Sequence, residues 1–356
     1  MSEKTKRRIE ELFSATVEKK ASDLHISAGN FPTLRIMGEL SFFFEFGEIS
    51  PEESREMAFY LMSEDQKQKF LKSKEIDFSY EFKRKNRFRV NIFIQRGFVS
   101  CSFRLVPTEI ETTESLNLPK ILSKFCEAKQ GLVLVVGPSS HGKSTTLAAL
   151  VEKINQTFFR RIITIEDPIE YVFKDNKSII DQREVYCDTD SFNHALKSVF
   201  RQDPDVIMVG EMRDPETIST TITAAETGHL VFSTLHTNSA SESIHRIIDS
   251  FPAAQQNQIR AQLATSLLGI VSQRLIPRKN GGLIPACEIL ISNSASANII
   301  RENRIHELDL VIETSFNEGM VGLNRSLVDL VNKDEISMEN ALLYSRNPNE
   351  LKKYFS

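Results

Sequence analysis

Nothing constrains this chain more than Gly137-Pro138-Ser139-Ser140-His141-Gly142-Lys143-Ser144-Thr145, set between the apolar run Gly131 to Val136 and a helix-like stretch from Thr146 to Asn155. A buried strand, a turn with two glycines and a helix opening on Lys-Ser satisfy G-x-x-x-x-G-K-[ST], a phosphate-binding loop. Chemistry dictates that order. Backbone N–H groups of the turn and the positive end of the helix wrap an anion, and Gly142 lets the backbone come close. Lys143 then reaches the β- and γ-phosphates as a mobile cation, while the Ser144 hydroxyl is a ligand for Mg²⁺. Every loop residue from Gly137 to Thr145 is therefore a candidate contact for ATP. Ser140 and His141 are bulkier than the small residues expected where backbone hugs phosphate.

At 356 residues the chain is long for one core, so two or three domains are expected. Its net charge of −4 supplies no overall electrostatic reason to bind nucleic acid, which counts against a DNA translocase and against nucleic acid as a partner. Cys101, Cys126, Cys187 and Cys287 are far apart and form no C-x-x-C pair. They read as buried thiols in a reducing cytosol rather than as a zinc knuckle or a disulfide framework. The opening residues run straight into a charged amphipathic helix, so no signal peptide is expected, and no apolar run approaches a bilayer span. A soluble cytoplasmic nucleotide user is expected.

Ile9, Leu12, Phe13 and Val17 at helical spacing predict a surface helix over 5–20. Residues 22–28 and 33–40 alternate like strands around the turn Gly29-Asn30-Phe31-Pro32, and Ser50-Pro51-Glu52-Glu53 is a capping box opening a helix through Met62. Ser63 to Lys72 repeats that pattern, and Asp77 to Val106 reads as three antiparallel strands. These elements make a small α+β domain over 1–106, followed by a polar linker over 107–114 and a second domain over 115–356. Within the second, a helix is expected over Leu116 to Lys129 and another over 191–201. Strands at Arg161 to Glu170, Val206 to Glu211 and Leu230 to His236 each end in polar groups, the pattern of a doubly wound parallel sheet with its site at the strand C-termini. From about 240 to the end the chain reads as mostly helical, with an amphipathic piece from Ala254 to Leu275, a helix from Leu323 and a last short one capped by Asn347.

Glu211 follows the run Val206 to Val209, where a carboxylate near Mg²⁺ can orient or deprotonate the attacking water. Glu166, Asp167 and Glu170 form a second acidic group that either binds metal through water or caps a helix. His229 and His236 flank the third of these strands; they are structural, or they sense a γ-phosphate by hydrogen bonding. An imidazole at His141, beside a triphosphate, is expected to gain a proton more readily than usual.

Four boxes resemble those of the secretion and pilus traffic ATPases, and within them the type IV pilus retraction ATPases. They are the loop itself, Ile163 to Tyr171, Asp203 to Asp214 and Ala225 to Asn238, similar in order to the family's Walker A, Asp, Walker B and His boxes. Ala21-Ser-Asp-Leu-His25 and Arg87-Phe-Arg-Val-Asn91 are similar to the retraction group's PAS-like first domain. The resemblance implies an α/β chain: a PAS-like α+β domain, then a RecA-like P-loop ATPase domain with a helical C-terminal part. It implies a homohexameric ring whose ATP hydrolysis, with Mg²⁺, drives domain rotation against an inner-membrane platform protein. The ring would sit at the cytoplasmic face of that membrane, peripheral to it through the platform alone and working beside a paralogous retraction ATPase. Carried over by position, Lys143 and Ser144 match phosphate and Mg²⁺ ligands, and Glu211 the catalytic glutamate beside the metal. Glu166 and Glu170 match the Asp-box acids, and His229 and His236 the His-box pair. Arg89 and Arg104 look like arginines that the first domain brings to nucleotide phosphates, although an arginine on a strand is by itself commonly a solvated face.

The family's loop usually reads G-P-T-G-S-G-K-S, so Ser140 and His141 depart from it. Ala295-Ser-Ala-Asn-Ile-Ile-Arg-Glu302 matches the retraction group's A-I-R-N-L-I-R-E motif in part. Pilus assembly and type II secretion ATPases, the sister reading, usually carry a C-x-x-C insertion and a longer N-terminal region, both expected to be absent here. A reading of another class is a nucleotide-switched ring protein that regulates a partner motor; Lys143, Ser144 and Glu211 speak against it.

Overall fold

A computed structural model describes residues 3–36, 38–83, 86–107 and 109–355. Its internal contacts divide the chain into two units, Met1–Glu109 with Pro168–Val172, and Ile110–Asp167 with Phe173–Ser356. Thr108, within the expected linker, lies outside the described residues.

The first unit runs α1 (Glu3–Glu18), β1 (Asp23–Ser27), β2 (Thr33–Ile36), β3 (Glu39–Phe42), α2 (Pro51–Leu61), α3 (Glu64–Ser73), β4 (Glu75–Phe82), β5 (Asn86–Gln95) and β6 (Phe98–Val106). Ile9, Leu12 and Phe13 bury one face of α1. The Phe13 ring stacks on Phe88 at 4.5 Å and meets Phe103 edge-on at 5.1 Å. Such pairs add about 0.5–1.5 kcal/mol each beyond burial. Both capping boxes form: Ser50 accepts from the Glu53 N–H and Ser63 from the Gln66 N–H, while each N3 side chain accepts from its cap residue's N–H. The three expected antiparallel strands are β4, β5 and β6, but they are half of a six-stranded sheet ordered β3-β2-β1-β6-β5-β4. The strand expected over 33–40 is corrected to two, β2 and β3, which pair antiparallel with Ile36 opposite Glu39. Gly38, at φ +91°, permits that reversal.

The second unit opens with α4 (Leu122–Glu127), β7 (Gly131–Val136), α5 (Lys143–Thr157), β8 (Arg161–Glu166), β9 (Ile179–Glu184), α6 (Phe192–Val199), β10 (Val206–Val209), α7 (Pro215–Glu226) and β11 (Leu230–Leu235). It continues with α8 (Ala240–Asp249), α9 (Ala253–Ser266), β12 (Leu267–Pro277), β13 (Leu283–Ile291), α10 (Ser294–Arg301), α11 (Leu308–Thr314), α12 (Leu323–Asn332), α13 (Met338–Tyr344) and α14 (Pro348–Lys353). Its seven-stranded sheet is ordered β13-β12-β7-β11-β10-β8-β9. All neighbours are parallel except β12 and β13. β7, β10 and β11 are buried along their whole length, as strands covered on both faces must be. The register sets Val209 opposite Ser233 and Ser233 opposite Leu134, so the C-terminal ends of the central strands line up.

Several expectations are corrected here. The helix expected over 116–129 shrinks to α4, because Pro119 disfavours helical backbone before it. The piece from Ala254 to Leu275 is a helix only to Ser266; the rest is β12, and β13 follows, so the region from about 240 onward is not simply helical. Leu267-Leu-Gly-Ile-Val is apolar without a decisive period, and packing decides it: a Cβ on Gly269 would stand 2.5 Å from the Phe125 ring and 2.7 Å from the Leu290 carbonyl oxygen. β9, partly exposed and largely polar, carries little strand signal and was not expected. Cys101, Cys126 and Cys287 are buried, but Cys187 is exposed. Among the described residues no helix is long and apolar enough to cross a membrane.

Candidate active site

β7 ends at Val136, and the loop leaves it through Gly137 at φ +150°, Ser140 at +64° and Gly142 at +78°. The serine takes the left-handed region at a cost of roughly 1 kcal/mol or more. α5 then starts at Lys143 with no side-chain cap on its N-terminus, which leaves the positive helix end to the loop itself. Lys143 is buried and folds back on the loop: Nζ donates to the Gly137 and Pro138 carbonyls at 2.9 and 2.8 Å. Ser144 and Thr145 occupy the first turn of α5, beside it.

Three strand ends meet at this loop. His236, just past β11, brings Nδ1 to 3.4 Å from Lys143 Nζ and 3.3 Å from Ser139 Oγ. Its Nε2 stands 3.5 Å from Glu211 Oε1, just past β10. With the ring proton on Nε2, one face of the imidazole accepts from the lysine and the other points at the carboxylate. The second Glu211 oxygen takes a 2.8 Å hydrogen bond from Arg213 Nε, and Arg213 NH1 lies 3.6 Å from Asp167 beyond β8. The Glu211 bond in turn raises the Arg213 pKa further. Sequence reasoning missed Arg213, although it sits two residues after Glu211, the spacing that returns a side chain to the same side of an extended chain.

The acidic residues near β8 have different surroundings. Glu166 is buried, accepting from Thr164 Oγ1 at 2.6 Å and from Gln182 Nε2 at 3.1 Å. Asp167 faces Arg213, and Glu170 is exposed in Pro168–Val172, the segment that belongs with the first unit. No helix starts among these acids, so the helix-cap alternative falls. His229 stands at the other end of β11, about 20 Å from the loop by strand rise. There Nδ1 meets the Ala224 carbonyl at 3.0 Å and the ring sits edge-on to Phe200. In the first unit Arg89 is exposed on β5 and pairs across strands with Arg104 on β6. Arg104 Nε donates to buried Asp23 at 2.9 Å, with Arg35 3.9 Å from the same carboxylate.

His141 turns away from the loop's interior. Its Nδ1 accepts the Leu275 N–H at 2.9 Å, and the Gln273 side chain donates to its carbonyl at 2.8 Å. Burial first, then Arg274 and Lys143, push the imidazole pKa down, which corrects the expectation of an easily protonated ring. Nothing in the local sequence could have found Gln273 or Leu275, 132 and 134 positions away.

A parallel sheet with a lysine-bearing loop after one strand, a carboxylate after another and a histidine after a third defines a P-loop ATPase of the RecA-like class. Residues 96–343 match the model of the family described as type II/IV secretion system protein. The type IV pilus retraction ATPase PilT of Pseudomonas aeruginosa is 42% identical over 94% of this chain and 96% of its own length. The type IV pilus ATPase PilU of the same organism is 40% identical over 96% of this chain and 90% of its own. A crystal structure of the pilus retraction motor PilT with ADP superposes with a TM-score of 0.91 at 46% identity, covering 97% of this chain and 99% of that one. The chain belongs to the type II/IV secretion ATPase family, in its PilT and PilU group, and is an ATP-hydrolysing enzyme.

Proposed function

We propose that this chain is a homohexameric motor that hydrolyses ATP with Mg²⁺ to drive type IV pilus retraction and twitching motility. It works at the cytoplasmic face of the inner membrane against a platform protein, beside a paralogous ATPase. One observation carries the enzymatic part: Lys143, His236, Glu211 and Arg213 form an unbroken chain of contacts across the ends of three adjacent strands. The uncapped start of α5 and the loop N–H groups suit a triphosphate, and the Ser144 hydroxyl, with Glu211 nearby, suits Mg²⁺. When bound, Mg²⁺ neutralises phosphate charge. Lys143 exchanges its two loop carbonyls for phosphate oxygens, Glu211 orients the attacking water and takes its proton, and His236 links lysine to glutamate so that each responds to the other. Arg89 and Arg104 supply guanidinium charge from the first unit, for which the PAS-like label rests on the sequence resemblance. We assign Glu166 and Glu170 to support around the Asp box, and give His229 no phosphate contact within its own protomer.

Domain limits of 1–106, 107–114 and 115–356 remain our proposal for the working parts. A chromosomal Lys143→Ala strain tests the whole reading: it is expected to display surface pili and fail to withdraw them. Loss of surface pili would instead favour an assembly ATPase.

A further inference from the structure

A strand that no motif marks runs beside the phosphate loop and contacts it. β12 pairs with β7 as far as Ser272 opposite Val136, so Gln273 comes to stand beside Gly137. The Gln273 side chain is 2% exposed, and both of its polar ends are engaged. Oε1 accepts from Thr146 Oγ1 at 2.8 Å, and Nε2 donates to the His141 carbonyl at 2.8 Å. One buried amide thus ties the tip of the loop to the first turn of α5, across Gly142 to Thr145. The backbone fits as closely: a Cβ on Gly137 would lie 2.4 Å from the Gln273 carbonyl oxygen, and one on Gly142 3.0 Å from Nε2. Leu275 adds a third tie through its N–H to His141 Nδ1.

An apolar side chain would fill this space without desolvating an amide, so the amide's role lies in where it holds the loop. Lys143 is the other internal tie, through the Gly137 and Pro138 carbonyls. A lysine that turns to phosphate gives up those two bonds. Gln273 keeps both of its own.

We propose that Gln273 is a positioning residue for nucleotide binding: through the His141 carbonyl and the Thr146 hydroxyl it holds the loop in its anion-accepting curvature without touching nucleotide. The proposal rests on the reading of this loop as the ATP site. Its test uses the full-length protein and two readouts, ADP affinity and the KM and kcat for ATP. Gln273→Met keeps the volume and removes both hydrogen bonds, Thr146→Val removes one, and Thr146→Ser keeps the hydroxyl. Gln273→Met is expected to weaken ADP and raise KM about tenfold, with kcat within about threefold of wild type. Thr146→Val falls between, and Thr146→Ser is expected to restore wild-type KM. Wild-type ADP affinity in Gln273→Met, or a loss of kcat at unchanged KM, would overturn the proposal. Should Gln273→Met fail to fold by circular dichroism, the Thr146 pair decides, and equal KM for valine and serine sinks it. If wild type itself binds no ADP, the site reading fails and takes the proposal with it. That outcome is distinct, because in the first failure wild type binds.

Discussion

Glu211→Gln exchanges one oxygen for an amide nitrogen in a side chain that is 21% exposed and held from two sides. Arg213 Nε donates to Oε2 at 2.8 Å, and His236 Nε2 lies 3.5 Å from Oε1. A glutamine can keep its carbonyl toward Arg213; its NH₂ then faces the His236 Nε2–H, which holds its proton because Nδ1 accepts from Lys143, and a small turn of the amide from the 3.5 Å position of Oε1 separates the two donors. Shape and packing therefore survive. Losing the charge of the Arg213 pair costs about 1 kcal/mol or less, since that guanidinium is 60% exposed and screened. What disappears is basicity, because an amide takes no proton from water. General-base catalysis contributes about 10²–10⁴, so kcat should fall at least a hundredfold, a barrier rise of about 2.7 kcal/mol or more. Lys143→Ala acts on the other quantity. It removes a buried cation whose charge-assisted contacts to phosphate are worth about 1.5–3 kcal/mol, and nucleotide affinity should drop about 10–100-fold. Phosphate release at saturating ATP and Mg²⁺, with titration of a fluorescent ADP, separates the two variants. Matching losses of affinity, or a Glu211→Gln kcat within threefold of wild type, would refute the role given to Glu211.

Arg104→Ala should cut turnover while leaving the fold, since Asp23 retains Arg35 at 3.9 Å; a hexameric variant that hydrolyses ATP at the wild-type rate would end that assignment. His141 and His25 are both held below the ordinary 6.5, burial being the largest cause, so the unfolded chain takes up protons first as pH falls. The stability of these neutral rings is present above 6.5 and lost as pH drops through it toward the folded values. The melting temperature should therefore decline from about pH 7 to 5.5, less steeply in His141→Asn, which keeps an acceptor for Leu275; parallel profiles for the two proteins would contradict this. Ser140→Gly relieves about 1 kcal/mol of left-handed strain but frees the unfolded chain by a similar amount, so its melting point should barely move. Ser140→Val should melt lower and bind ADP more weakly, and a valine variant that matches wild type would show that φ +64° is not required.

What was legible in the sequence was local. Gly137, Gly142 and Lys143 announce their loop because the turn, the anion and the helix start all fall within one short stretch, and Ser50 and Ser63 announce their helices for the same reason. Glu211 and His236 were readable through the strands before them. β12 and β13 were not, because an apolar run in a buried strand has no period to distinguish it from a buried helix, and the deciding contact at Gly269 comes from Phe125. His141 was visible as a departure, but the direction of its ring depends on Leu275, which joins the sheet from far along the chain. The two histidines that flank β11 look equivalent in sequence, and only the direction of a parallel strand sends His236 to the loop and His229 to the opposite edge.

The contact between Gln273 and the loop also bears on how this protein is made. A ribosome finishes the whole motif, strand and helix included, well before it reaches a residue 132 positions downstream of His141. Until then the nascent chain has the loop and lacks the strand that runs beside it. The entropy of closing so long a segment rises only slowly with length, so the delay is one of synthesis order more than of thermodynamic cost. On the role proposed for Gln273, full nucleotide affinity arrives late in translation, after most of the second unit has been made, and a chain terminated before β12 would carry the motif without that support.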